Sequence, residues 1–179
     1  MTKADFLRWQ PDDDAYVYEF NRGRLEPTVS MRQEEVLLLR QLTRRFNQTE
    51  AYQAGGELVA EVEVWLTDEQ MRRPDVAYLS AQQVRQLEAD EAVVPSFVIE
   101  FASETDNESK SIQKRHEYFE AGVQVVWWVY PTYREVYVYT SPKTVMIYTD
   151  QDMLHAAPML PDLQLTVDDL FNRNKVPAS

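Results

Sequence analysis

The sequence predicts an α/β or α+β fold built on a mixed β-sheet flanked by helices, with a β-hairpin near each end of the chain. Three observations carry that expectation. Two nearly continuous apolar runs, residues 93–101 and 123–129, read as strands buried on both faces, with a crossover helix over 110–121 between them. Two pairs of short segments, 16–20 with 25–27 and 135–139 with 144–148, are joined by Asn21-Arg22-Gly23-Arg24 and Ser141-Pro142-Lys143 and read as hairpins. Residues 31–46 place Val36, Leu39, Leu42, Thr43 and Phe46 at helical spacing behind Ser30, a good N-cap.

Taken in order, residues 1–15 form a lead-in containing Pro11 and Asp12-Asp13-Asp14, with Phe6 and Trp9 as its anchoring side chains. A single domain is expected over 16–171, followed by a frayed tail, 172–179. Gly23 suits the positive-φ position of the first hairpin turn. After the 31–46 helix, Gly55-Gly56 breaks the chain, and residues 58–66 alternate apolar side chains with Glu61 and Glu63, as one strand with an acidic edge. Arg73-Pro74 leads into a strand over 75–79, and Ser80 caps a short helix from Ala81 to about Ala89. Polar residues 103–109 form a loop before the crossover helix, which Gly122 closes. Near the end, 161–165 reads as a short strand and Thr166 caps a helical turn, while His155 is placed in a loop.

Composition narrows the function classes. The 179 residues are 44% hydrophobic and 12% aromatic, enough for a real core, and no apolar run is long enough to cross a bilayer. The first residues lack a basic segment followed by an apolar run, so the cytoplasm is the expected compartment. Without Cys, and with only His116 and His155, neither a thiolate nucleophile nor a cysteine or multi-histidine zinc site can be built. A net charge of −12 repels phosphate backbones at long range, though basic side chains or a divalent cation inside a cleft can reverse that potential locally.

Asp75 and Glu100 stand out because each is a carboxylate at the margin of an otherwise apolar strand. Burying such a charge is costly unless a cation, a metal or hydrogen-bond donors compensate it. The two would end adjacent strands at one rim of the sheet, and two carboxylates with waters suit Mg²⁺ (or Mn²⁺). Lys110, Lys114 and Tyr118 recur every four residues on one face of the following helix. Asp75, Glu100 and Lys114 thus compose a candidate metal and water site. A purely structural alternative has Asp75 serving a turn after Pro74 and Glu100 paired with Lys114 or Arg115. Trp127 and Trp128 read as sheet packing, and Arg40, Arg44 and Arg45 as a solvated basic strip.

Pro74-Asp75-Val76-Ala77, Val98-Ile99-Glu100-Phe101-Ala102-Ser103, residues 114–123 (Lys-Arg-His-Glu-Tyr-Phe-Glu-Ala-Gly-Val), Trp127-Trp128-Val129-Tyr130-Pro131 and the closing 160–171 together resemble the Uma-two family. These are restriction-endonuclease-like proteins of the PD-(D/E)XK nuclease superfamily, and the resemblance spans roughly residues 16–171. It implies a restriction-endonuclease-like mixed sheet, with Asp75 and Glu100 as the metal-binding acidic pair and Lys114 in the lysine role. The superfamily pattern would place that lysine at position 102, which is Ala102 here. Tyr130 and Lys110 stand where relatives often carry Asp. Glu34 or Glu35 could add a further acidic group. The implied function is divalent-metal-dependent phosphodiester hydrolysis, with DNA as substrate. The competing readings are a degenerate fold acting as a protein-binding or homodimerisation module, which Ala102 and the tyrosine-rich 133–148 segment favour, and a hydrolase of non-nucleic phosphoesters.

Overall fold

The computed structural model describes residues 1–11, 15–103 and 106–172, so the Asp12–Asp14 run and nearly all of the expected frayed tail lie outside it. The elements are α1 (Lys3–Phe6), β1 (Val17–Asn21), β2 (Arg24–Thr28), α2 (Gln33–Phe46), α3 (Glu50–Gln53), β3 (Glu57–Ala60), β4 (Val64–Thr67), β5 (Gln70–Arg72), β6 (Val76–Leu79), α4 (Ala81–Glu88), β7 (Phe97–Phe101), α5 (Glu108–Ala121), β8 (Val125–Tyr130), β9 (Glu135–Ser141), β10 (Thr144–Tyr148), β11 (Met153–Ala156), β12 (Leu160–Thr166) and α6 (Val167–Phe171). They form a mixed α+β architecture. A six-stranded sheet runs β10-β9-β8-β7-β6-β3, a four-stranded sheet runs β2-β1-β5-β4, and β11 pairs with β12. Only β7 and β8 are parallel in the larger sheet, and α5 makes the crossover between them.

Both expected hairpins are present. Arg22 and Gly23 take φ of 48° and 83°, the left-handed pair that joins β1 to β2. Ser80 caps α4 and Thr166 caps α6, and α5 ends at Gly122 with φ of 105°. The lead-in is anchored by aromatic packing, with Phe6 stacked on Phe20 and Trp9 edge-on to Tyr18. No helix among the described residues is long and apolar enough to cross a membrane.

Four expectations are corrected. The 58–66 strand is two strands in different sheets, because Glu61 adopts a left-handed φ of 49° and turns the chain between β3 and β4. Nothing in the sequence marks the break, since the apolar alternation continues across it. The 93–101 strand begins only at Phe97, after Pro95, which cannot donate to a ladder. His155 lies on β11 rather than in a loop, and its carbonyl accepts a hydrogen bond from Trp127 Nε1 at 3.3 Å. The N-cap of α2 is Arg32 instead of Ser30, because the Glu35 carboxylate reaches back to the Arg32 N–H at 2.7 Å and sets the start of the helix.

That carboxylate also shifts the inward stripe of α2, which runs Glu35, Leu38, Leu42 and Phe46, while Val36 is exposed. We therefore expect Val36→Lys to change unfolding free energy by no more than about 0.5 kcal/mol, and Leu38→Lys to cost at least about 3 kcal/mol or abolish folding. Urea denaturation of the two variants checks this; equal effects would mean the helix is rotated from the described position.

The six-stranded sheet is covered on both faces. Leu38, Leu42 and Phe46 of α2 pack with Trp127, Val138, Leu163 and Leu170 on one side. Tyr118 and Val123 pack with Ala77, Val98, Trp128 and, from β4, Val64 on the other. The second face carries the polar side chains.

Candidate active site

The antiparallel register that pairs Val76 with Ile99 sets Asp75, one residue before β6, beside Glu100 near the end of β7. Asp75 Oδ2 accepts a hydrogen bond from the Phe101 N–H at 2.6 Å, which fixes its carboxylate at that rim. The helix that follows is capped by Asn107, and it brings Lys114 and Tyr118, one turn apart, over the same glutamate. Lys114 Nζ lies 3.0 Å from Glu100 Oε2, and Tyr118 OH donates to Glu100 Oε1 at 2.5 Å.

A second layer comes from the four-stranded sheet. Glu19 on β1 accepts from Lys114 Nζ at 2.9 Å, from the Arg73 N–H at 2.9 Å and from Arg72 Nη1 at 2.8 Å. Arg72 on β5 is itself buried and also binds Glu26 at 2.6 Å and Glu117 of α5 through both Nε, at 2.8 Å, and Nη2, at 2.7 Å. Gln70 and Gln113 donate to the other Glu117 oxygen at 2.9 and 2.8 Å. Glu19, Glu26, Glu100 and Glu117 therefore share Lys114 and Arg72, and Asp75, held by the Phe101 N–H, adds a fifth carboxyl group beside those two cations.

The titration behaviour follows from that imbalance. Burial, and then the charge of Glu100, push the Asp75 carboxyl well above the usual carboxylate range; Lys114 only partly opposes them. Burial also raises Glu100, with Lys114 pulling the other way and Glu19 adding to the rise. Glu19 is the converse case, since burial would raise it but Lys114 and Arg72 prevail and hold it low. The Lys114 ammonium resists burial and moves up, because Glu100, Glu19 and Asp75 favour its charged form. Burial and the Glu100 charge raise the Tyr118 phenol as well, so it remains a donor.

These groups open on a cleft of about 530 Å³ whose walls include Arg32, Glu35, Arg73, Lys110 and, at the start of α5, its cap Asn107 and Ser111. The structure thus brings Asp75, Glu100, Lys114 and Tyr118 together. Of the two first-helix glutamates, Glu35 lines the cleft, while Glu34 borders a separate depression with Gln41 and Arg134. Lys110 is exposed on the cleft wall. Ala102 is buried in the apolar cluster with Tyr118 and Trp128.

Sequence reasoning missed Glu19, Arg72 and Glu117. The signal for Glu19 was an acidic residue inside the first hairpin strand, on the side opposite Tyr18 and Phe20; for Arg72 it was Gln70-Met71-Arg72, too polar to read as a strand yet fully buried. Among the described residues no three acidic or histidine side chains converge as a ready-made ion cage. Asp75 and Glu100 remain a compatible pair for a hard divalent ion, which needs few protein ligands and keeps its own waters.

Comparison with known proteins agrees with this architecture. None of the curated proteins matches the chain. A crystal structure from Anabaena variabilis, described as "a putative nuclease belonging to DUF820", superposes with a TM-score of 0.80 at 17% identity, covering 97% of this chain and 98% of that one. At that identity the likeness establishes the shared fold. Residues 4–168 match Uma2, the family described as "Putative restriction endonuclease", and the chain belongs to that family.

Proposed function

We propose that the chain is a divalent-metal-dependent nuclease that hydrolyses phosphodiester bonds, with DNA as substrate. The observation that carries this reading is the junction of Asp75 and Glu100 at one strand rim, under-compensated by Lys114 and facing an open cleft. A structural ion pair would be closed and neutral. Here the acidic floor is left short of positive charge, and Arg32, Arg73 and Lys110 stand in the walls where phosphates would pass.

Asp75 and Glu100 would hold Mg²⁺ or Mn²⁺, with Glu35 as a nearby acidic wall. Each Glu100 oxygen accepts one side-chain hydrogen bond and keeps a lone pair for an ion. When bound, such an ion would lower the pKa of an attacking water and stabilise the departing oxygen. Lys114, held protonated by Glu100 and Glu19, does not accept a proton; it orients the water and offsets charge that develops on the phosphate. Tyr118 fixes the Glu100 carboxylate through its hydroxyl. Lys114 thus provides from α5 the cation that Ala102 leaves out.

The test is cleavage of plasmid and oligonucleotide DNA in Mg²⁺ or Mn²⁺, with RNA and small phosphodiesters in parallel. Glu100→Gln and Lys114→Ala are each expected to reduce the cleavage rate by about 10² to 10³-fold, while Lys110→Ala weakens DNA binding and leaves turnover of a saturating substrate nearly unchanged. Wild-type protein inert toward every phosphodiester would overturn the reading, and with no ion binding either, the degenerate binding-module reading would replace it.

A further inference from the structure

Sheet edges expose unpaired N–H and C=O groups, and proteins blunt them with charge, proline, short length or cover. Three of the four outer edges of the two main sheets follow that rule. β3 is four residues long, begins at Glu57 and stops at the left-handed Glu61. β2 carries Arg24, Glu26 and Pro27. β4 is packed against α5. β10 has none of the charge, proline or cover, although its pairing with β9 shifts register between Thr144 and Val145. Its five residues, Thr144-Val145-Met146-Ile147-Tyr148, contain no charge and no proline, and it is the terminal strand of the six-stranded sheet. Val145, Met146 and Ile147 are 43%, 60% and 53% exposed, on both faces of the strand. An apolar, two-faced edge on a chain of net charge −12 calls for an occupant.

From this edge we infer that β10 pairs with β10 of a second copy, antiparallel about a two-fold axis, so that the two six-stranded sheets become continuous. The flanking charges select the occupant and its direction. Lys143 precedes the strand and Asp150 follows it, both exposed. In an antiparallel pair centred on Met146, Thr144 faces the partner's Tyr148, Val145 faces the partner's Ile147, and each Lys143 lies beside the partner's Asp150. A parallel pair would set like charges together. Val145 and Ile147 register with Tyr139 and Tyr137 of β9, so self-pairing also extends that aromatic face across the axis. The interface is isologous, as two-fold dimers require. It leaves the cleft open, since β7 lies three strands in from β10. Because the edge itself is uncharged while the copies repel one another at long range, association strengthens as salt screens that repulsion.

The experiment uses the full chain. Light scattering with size exclusion, over a concentration series at low and high salt, is expected to show a dimer favoured by salt, and Ile147→Lys is expected to convert it to a monomer with an unchanged far-UV spectrum. The chain contains no cysteine, so Met146→Cys gives one thiol per copy. Across a two-fold antiparallel pair the two Cα atoms would stand about 5 Å apart, within disulfide reach. Mild oxidation should therefore cross-link Met146→Cys nearly completely and leave Val36→Cys, at an exposed position of α2, uncross-linked. A wild type that is monomeric at every concentration overturns the proposal. So does a dimer that survives Ile147→Lys while Met146→Cys fails to cross-link. Neither outcome bears on cleavage activity.

Discussion

Asp75→Asn is expected to abolish Mn²⁺ binding and, in the same protein, to raise the melting temperature. The carboxyl of Asp75 titrates above its unfolded value because burial and Glu100 disfavour its charge. A group raised in this way contributes stability that is fully present below the unfolded carboxylate pKa and is lost as pH rises through the folded one. Above the unfolded carboxylate pKa Asp75 therefore burdens the fold, either by taking up a proton on folding or by bearing a buried charge. Asparagine removes that charge and can still accept the Phe101 N–H through its amide oxygen. A gain of about 1 kcal/mol, roughly 2–4 °C in a chain of this size, is the expected result at pH 8, shrinking to nothing in acid. Calorimetric melting and titration with Mn²⁺ on the same samples check both halves. Were Asp75→Asn less stable than wild type at pH 8, Asp75 would be a structural turn residue, and the metal assignment would lose its main support.

A large loss of stability that depends on pH is expected from Arg72→Met. Arg72 binds Glu19, Glu26 and Glu117 at once, and two of these carboxylates are buried. Methionine keeps much of the volume but strands those charges without their cation, which costs about 3–5 kcal/mol when one partner of a buried pair is removed. The pH dependence has the opposite sign to that of Asp75. Arg72 helps to hold the Glu19 pKa low, a contribution present above the unfolded carboxylate pKa and lost as pH falls through the folded value. The deficit of Arg72→Met should thus be widest at neutral pH and narrow in acid. Arg72→Lys should recover part of it, since a single ammonium cannot reproduce the guanidinium fork. Denaturant melts at two pH values measure this, and a pH-independent deficit would show that packing, not charge, dominates at this position.

These expectations divide the site into a part that local sequence displays and a part that it does not. The proximity of Asp75, Glu100 and Lys114 was legible because each shows within a few residues, a carboxylate in an apolar strand or a lysine repeated at four-residue spacing with Lys110 and Tyr118. Their adjacency then follows from ordinary strand pairing. Glu19, Arg72 and Glu117 belong to three elements spread across the chain, joined only by how β1, β5 and α5 converge. Each looks like an unremarkable surface charge when read alone. The same blindness explains the misplaced stripe on α2. Apolar periodicity cannot show that a glutamate, Glu35, belongs among the buried positions, because what holds it there is Arg32 and the cleft.

The spacing along α5 imposes a different kind of constraint. Glu117, to which Gln113 donates, faces Arg72 and Gln70, while Lys114 and Tyr118 face Glu100, so a single helical segment addresses two sheets with two interleaved registers. One inserted or deleted residue between 113 and 118 would rotate everything beyond it by about 100° and break both registers together. Length variation among descendants of this chain should therefore avoid that segment entirely, and gather where no register is kept, such as the hairpin turn at 142–143.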